Sequence, residues 1–224
     1  MSATLRQFLL LVGKDLRIEA RGRQTIGLVL VLGLLIVIVL GLGLGATAAA
    51  AFGAPVVLWV AYLFAGVLCF EKTMAVERTD GALAGLMLAP MDRSTIYLAK
   101  LTTNLILMTA VALVITPAGV VFFSFDLSAA PGTFVLVMAL GILGFAAIGT
   151  LFASLVSSTR LQGGLLAMMA FPVALPLVIA STQLMLHRFR DGQPIDAGAL
   201  GILVAFDAIF LSASWLVFDW VLEP

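Results

Sequence analysis

The stretch QTIGLVLVLGLLIVIVLGLGLGATAAAAFGAPVVLWVAYLFAGVLCF, residues 24–70, contains no charged side chain. A helix needs about 20 apolar residues to cross roughly 30 Å of hydrocarbon, so this run is long enough for two crossings. Gly41, Gly43, Gly45 and the Ala/Gly stretch ending at Pro55 supply a turn between spans near 26–44 and 54–70. Inside lipid every backbone polar group needs a partner within the protein, which leaves helices or closed barrels. A barrel strand alternates apolar and polar residues, and these runs do not alternate.

The same rule applied outward gives further spans near 101–125, 133–154, 161–186 and 197–220. Asp126, Ser128, Pro131 and Gly132 separate the third from the fourth, and the polar segment HRFRDGQPID (187–196) separates the fifth from the sixth, which Asp207 interrupts. The expected fold is an all-α integral membrane protein with six transmembrane helices in one domain over residues 1–224. Composition agrees, since 62% of residues are apolar and 11% charged, with a mean hydropathy of +1.20, against about 25% charge in soluble domains.

Composition also excludes functions. The formal net charge is zero, so no basic surface points to nucleic acid. One cysteine, Cys69, and one histidine, His187, rule out a disulfide within the chain or a metal site needing two of either. Neither catalytic residues nor a metal or cofactor held by the chain itself is expected. The first apolar run starts behind a charged segment with no small-residue cleavage site, so the N-terminus reads as retained rather than as a cleaved signal peptide.

Residues 1–24 read as an amphipathic helix lying in the membrane interface. Leu5, Phe8, Leu9, Val12 and Leu16 share one helical stripe, and Lys14, Arg17 and Arg21 lie on another. Lysine and arginine also set orientation. With six spans, ten of the twelve (Arg6, Lys14, Arg17, Arg21, Arg23, Lys72, Arg78, Arg93, Lys100 and Arg160) fall on one side and only Arg188 and Arg190 on the other. The first side is therefore expected to be cytoplasmic, with both termini inside.

One cytoplasmic segment stands apart from the connectors: EKTMAVERTDGALAGLMLAPMDRSTIYLAK, residues 71–100. Charges at Glu77, Arg78 and Asp80 precede Gly81, which breaks the chain. Leu83, Leu86 and Met87 follow at helical spacing, and Pro90 ends that helix. A short amphipathic helix there either lies on lipid or docks in a partner's groove, and flanking charges fix register against a partner.

Glu77-Arg78-Thr79-Asp80-Gly81-Ala82-Leu83, followed by Leu86-Met87-Leu88-Ala89-Pro90, resembles the E-R-x-x-G-x-L-x-x-L-x-x-x-P segment of type-2 ABC exporters. In those proteins it is the coupling helix seated on the nucleotide-binding subunit. Within that superfamily the chain is similar to the haem exporter protein B (CcmB) family of cytochrome c maturation. Lys14-Asp15-Leu16-Arg17-Ile18-Glu19, the run 70–100, the ending Val221-Leu222-Glu223 and the span layout carry the resemblance across the whole chain. It implies a permease subunit that works with a separate ATPase (CcmA) and with CcmC and CcmD, as a homodimer in a bacterial inner membrane, with haem as the cargo. ATP would then be hydrolysed by the partner, and no G-x-x-x-x-G-K-[ST] phosphate loop occurs in this chain. A generic type-2 permease exporting a drug, lipid or polysaccharide, a membrane-embedded enzyme and a passive scaffold are the alternatives.

Other residues carry weaker signals. An ionisable group mid-span, such as Asp207, is a functional candidate by default. Its alternative is a carboxyl hydrogen-bonded to a neighbouring serine or threonine in the bundle. Asn104 reads as interhelical glue, and Gly149 with Ala153 as a small-xxx-small packing pair. Pro117, Pro172 and Pro176 are expected to kink or break their helices, and Pro117 to mark a fold-back. His187, beside Arg188, reads as an interfacial polar residue before a haem ligand, and Cys69 as a small buried apolar residue.

Overall fold

The computed structural model describes residues 3–22, 24–44, 48–78, 92–158 and 164–221. Seven α-helices account for nearly all of them: α1 (Ala3–Gly22), α2 (Gln24–Leu44), α3 (Ala48–Arg78), α4 (Arg93–Phe123), α5 (Pro131–Ser158), α6 (Leu165–Phe189) and α7 (Ala197–Val221). Helices α2 to α7 each contain a window long and apolar enough to cross a membrane: Ile26–Leu44, Gly53–Met74, Ser94–Phe123, Pro131–Val156, Leu165–Phe189 and Ala197–Val217. The six expected spans are all present, and the fold is that of an all-α integral membrane protein.

Element boundaries depart from the sequence reading where charge, not apolarity, marked an end. Helix α3 continues past Phe70 through Lys72 to Arg78, and α4 begins at Arg93 rather than near Leu101. Both reach beyond hydrocarbon, because a helix satisfies its own backbone in water as well as in lipid. At 1.5 Å per residue, each of these 31-residue helices is about 46 Å long, well over the roughly 30 Å of a bilayer core. The cytoplasmic loop expected over 71–100 is therefore mostly helix at both ends.

Pro117 does not break α4, nor Pro172 and Pro176 α6, nor Asp207 α7. The Thr116 hydroxyl, one residue before the proline, donates to the Ala112 carbonyl at 2.6 Å and accepts from the Tyr62 hydroxyl of α3 at 2.7 Å. That local bonding, available when neighbouring helices pack close, holds the turn through Pro117.

Helices α3 and α5 form the centre, where two thirds of each span window is buried, against 22% for α2 and α7 at the edges. Helix α3 packs on α2, α4, α5 and α6, and α5 packs on α3, α4, α6 and α7. Close approach comes from glycine. A Cβ at Gly149 would collide with the Phe70 ring of α3, and one at Gly141 with the Trp59 ring of α3. Phe70, Trp59, Tyr62 and Phe145 are fully buried in the resulting core. Gly149 thus serves as the packing residue expected of it.

Helix α1 lies against α4 and touches α2. Its apolar stripe divides: Val12 is buried and Phe8 and Leu16 pack on the core, while Leu5 and Leu9 stay exposed; Leu11, outside the stripe, is buried as well. At the far end of the bundle, the Asp126 carboxylate accepts from the Ser128 hydroxyl and N–H (2.6 and 2.9 Å). Asp196 accepts from the N–H groups of Gly198 and Ala199 at the start of α7, both at 3.1 Å. Phe125 stacks on Phe189, ring centroids 4.8 Å apart, to close that end.

Candidate functional site

Charged residues at the α1 end of the bundle are gathered, not dispersed. Asp15 and Glu19 follow Leu11 at i+4 and i+8, so all three share the face of α1 turned to the bundle. The Asp15 carboxylate meets the Lys100 ammonium of α4 at 2.8 Å, with side chains 8% and 4% exposed. Lys14 approaches the other oxygen of Asp15 at 3.2 Å. Glu19, also buried, accepts from the backbone N–H of Ile26 at 3.1 Å and so satisfies a free donor in the first turn of α2.

One turn deeper, a polar relay crosses three helices. Asn104 of α4 donates from Nδ2 to Thr150 Oγ1 of α5 at 2.8 Å, and its Oδ1 lies 3.0 Å from the Thr73 hydroxyl of α3. The Thr73 hydroxyl also lies 3.0 Å from the Phe70 carbonyl. Asn104 and Thr150 are fully buried, where each satisfied bond resists separation because an orphaned amide would face hydrocarbon. Asn104 therefore acts as the interhelical glue expected. The ion pair was not foreseen, although the inward i, i+4, i+8 pattern of Leu11, Asp15 and Glu19 is its sequence signal.

Both sets of bonds sit beneath the segment expected to dock a partner. Glu77 and Arg78 end α3, and α4 starts at Arg93, so the two helices carry residues 79–91 between them. Asp80, Gly81, Leu83, Leu86, Met87 and Pro90 lie outside the described residues, and the proposed short helix with them. The arrangement beneath is a pair of long helices whose turns at the α1 end of the bundle are bonded to each other, to α5 and to α1. The pair is thereby tied to two further helices, α5 and α1.

A second polar feature lies at mid-depth. Asp207, 5% exposed, is near the middle of the α7 span, and its carboxylate fits the space left by Gly144, near the middle of α5, beside Leu177, near the middle of α6. The serine or threonine partner expected for it is not there: neither carboxylate oxygen has a hydrogen-bond partner among the described residues. Ser181 Oγ, against Gly141 one turn away, and Trp59 Nε1, whose ring carbons meet the same glycine, are likewise buried and unpartnered among the described residues. Helices α3, α6 and α7 thus bring polar atoms to one glycine-lined strip of α5.

His187 is exposed in the last turn of α6. Among the described residues no three side chains of histidine, cysteine, aspartate or glutamate come together as a metal site would require. Cys69 is buried, as expected. Outside the spans, hydrogen bonds from Ala199 and then Gly198, with His187 adding a smaller electrostatic contribution, hold the Asp196 carboxyl below its ordinary value. The Ser128 hydroxyl and N–H do the same for Asp126.

Comparison with known proteins agrees with this architecture. The chain is 26% identical over 132 residues to the heme exporter protein B of Haemophilus influenzae (strain ATCC 51907 / DSM 11121 / KW20 / Rd), a match covering 59% of this chain and 59% of that relative. The family described as CcmB protein matches residues 6–218. With that match spanning α1 to the last turns of α7, the chain belongs to the CcmB family.

Proposed function

We propose that this chain is the membrane permease subunit of an ABC-type complex in cytochrome c maturation. In this reading it couples ATP hydrolysis by a separate CcmA-like ATPase to haem delivery or export, or to release of the haem chaperone. Family membership and the name of the Haemophilus relative support the haem assignment. The observation that carries the coupling is the bonded base of α3 and α4, through Thr73, Asn104 and Thr150 and through Asp15 and Lys100. ATP-driven closure of the partner would push on residues 77–90, and the tied helices would move as a body, which is how a ligand biases one of two packings.

In this proposal Glu77, Arg78 and Asp80 set the register of docking, Gly81 and Pro90 bound the helix, and Leu83, Leu86 and Met87 enter the partner's groove. Asp207 serves as the polar site within the membrane. The chain works as a homodimer with CcmC-like and CcmD-like proteins in a bacterial inner membrane, with both termini cytoplasmic, the side favoured by ten of twelve lysines and arginines. The ATP is bound by the partner.

The test is co-purification. Leu86→Asp and Asp80→Lys should each leave membrane insertion intact and reduce recovery of the ATPase subunit with this chain. Undiminished recovery with both variants refutes the docking assignment. Normal c-type cytochromes after deletion of this chain would refute the haem assignment and move the protein to the drug-, lipid- or polysaccharide-exporting permeases.

A further inference from the structure

Helix α1 separates its charges by sign. Its two acids, Asp15 and Glu19, both face the bundle and are taken up by Lys100 and the Ile26 N–H. On the opposite face, Arg6, Leu10, Arg17 and Arg21 recur at i, i+4, i+11 and i+15, one continuous stripe, and all four are exposed. Arg6, Arg17 and Arg21 form no ion pair among the described residues. Arg17 and Arg21 stand one turn apart, where like charges repel. Among the described residues no acidic side chain offsets that repulsion.

Two further features lie on or beside this stripe. A Cβ at Gly13 would meet nothing within 4 Å, so packing does not require the glycine, which is unfavourable within a helix. It leaves a shallow saddle between Leu10, 63% exposed, and Arg17. On the adjoining flank Leu5 and Leu9 are exposed as well, 45% and 50%. Depth is fixed by connectivity: α1 ends at Gly22, and the apolar window of α2 opens at Ile26. Helix α1 therefore lies at headgroup level, with one flank toward acyl chains and the arginine stripe turned away from the bundle, in the plane of the lipid phosphates.

We propose that this stripe is a binding site for an anionic phospholipid of the leaflet in which α1 lies, its phosphate clasped between Arg17 and Arg21 and its glycerol region resting at Gly13 and Leu10. Guanidinium groups suit phosphate by bidentate hydrogen bonding, and the anion relieves the Arg17–Arg21 repulsion. A zwitterionic lipid brings its own cation to the same place and relieves less of it. The site is independent of which partner the cytoplasmic segment takes.

Native mass spectrometry of the full-length chain, titrated with phosphatidylglycerol or phosphatidylcholine, tests this. The wild type should bind phosphatidylglycerol more tightly than phosphatidylcholine, and inorganic phosphate should not displace it. A basic residue near an anionic surface is worth about fivefold in affinity. Arg17→Gln or Arg21→Gln should therefore each lower phosphatidylglycerol affinity about fivefold, and the double variant more than twentyfold. Arg190→Gln, at the other end of the bundle, should leave it unchanged. Retained preference in the double variant overturns the proposal, as does equal loss with Arg190→Gln or displacement by inorganic phosphate, which would mark a free-anion site. Should the double variant not fold, as read by its helical circular dichroism, the two single variants decide: wild-type affinity in both overturns it.

Discussion

Replacing Lys100 by methionine removes one charge from a pair that is almost out of water. The Lys100 and Asp15 side chains are 4% and 8% exposed, and their charged atoms are 2.8 Å apart. Taking away one member of a buried pair costs about 3–5 kcal/mol, because the other is left desolvated. Here Lys14 remains 3.2 Å from the second oxygen of Asp15, which puts Lys100→Met at the lower end, about 3 kcal/mol. Removing both charges, with Asp15→Leu added, should return stability to within about 1 kcal/mol of wild type, since two apolar side chains then fill a site that no longer has to desolvate ions. Asp15→Leu alone leaves Lys100 without this counterion and should cost about as much as Lys100→Met, so the double-mutant cycle should give a coupling of about 5 kcal/mol. Unfolding of the reconstituted chain by dodecyl sulfate, followed by circular dichroism, measures the four stabilities. Hydrogen exchange over α1 reports whether the loss is local, and it should rise in Lys100→Met and recover in the double variant. Additive single effects, with a coupling below about 0.5 kcal/mol, would refute the idea that this pair fixes α1 to the bundle.

Other substitutions probe the remaining contacts. Gly149→Val forces the buried Phe70 ring out of its seat. It should cost about 1–3 kcal/mol by overpacking in the same unfolding assay, and an unchanged midpoint would contradict the close α3–α5 approach. Asn104→Leu strips Thr150 and Thr73 of a partner and should cost about 0.6–2 kcal/mol, the range for interhelical hydrogen bonds in membranes. Asp207→Leu removes a buried carboxyl that has no hydrogen-bond partner among the described residues. It should leave stability within about 1 kcal/mol of wild type or raise it, and a loss above about 2 kcal/mol would show that the carboxyl is bonded after all. The caps at Asp126 and Asp196 have lowered carboxyl pKa values, so their stabilisation is complete above the ordinary carboxyl value of about 4 and disappears as pH falls through the lower folded one. Hydrogen exchange at Ser128, Gly198 and Ala199, corrected for intrinsic rates, should quicken only in that acidic range. Equal protection at all acidic pH values would contradict the capping.

The six spans were legible because hydrocarbon thickness sets a length, and charge-free runs of that length are rare by chance. Their ends were not. Lys72, Arg78, Arg93 and Lys100 look like loop residues to a rule that equates charge with water, yet α3 and α4 continue through them, since only the lipid boundary and not the helix ends there. Asp15 and Glu19 counted in the sequence only as part of the run 14–19 that carries the family resemblance. Only the packing of α1 on α4 turns them inward. Asn104 was readable because an amide in hydrocarbon must find a partner, though its partners Thr73 and Thr150 lie 31 and 46 residues away in sequence. Asp207 was found by the same reasoning, but a hydrogen bond to a serine or threonine is absent among the described residues. Depth in the membrane is readable from position in a span, whereas the neighbours at that depth depend on helix rotation, which sequence does not set.

Helix α5 is keyed. Three of its glycines receive side chains from three neighbours: Gly141 takes Trp59 of α3, Gly144 takes Asp207 of α7 and Leu177 of α6, and Gly149 takes Phe70 of α3. Turning α5 about its own axis would have to eject all of these bulky groups together, so the axle cannot spin while the bundle stays closed. Any cycle of shape change must then carry α3 and α5 as a single piece, and the slack falls to α2 at the rim, which rests mostly on lipid and fills none of these sockets.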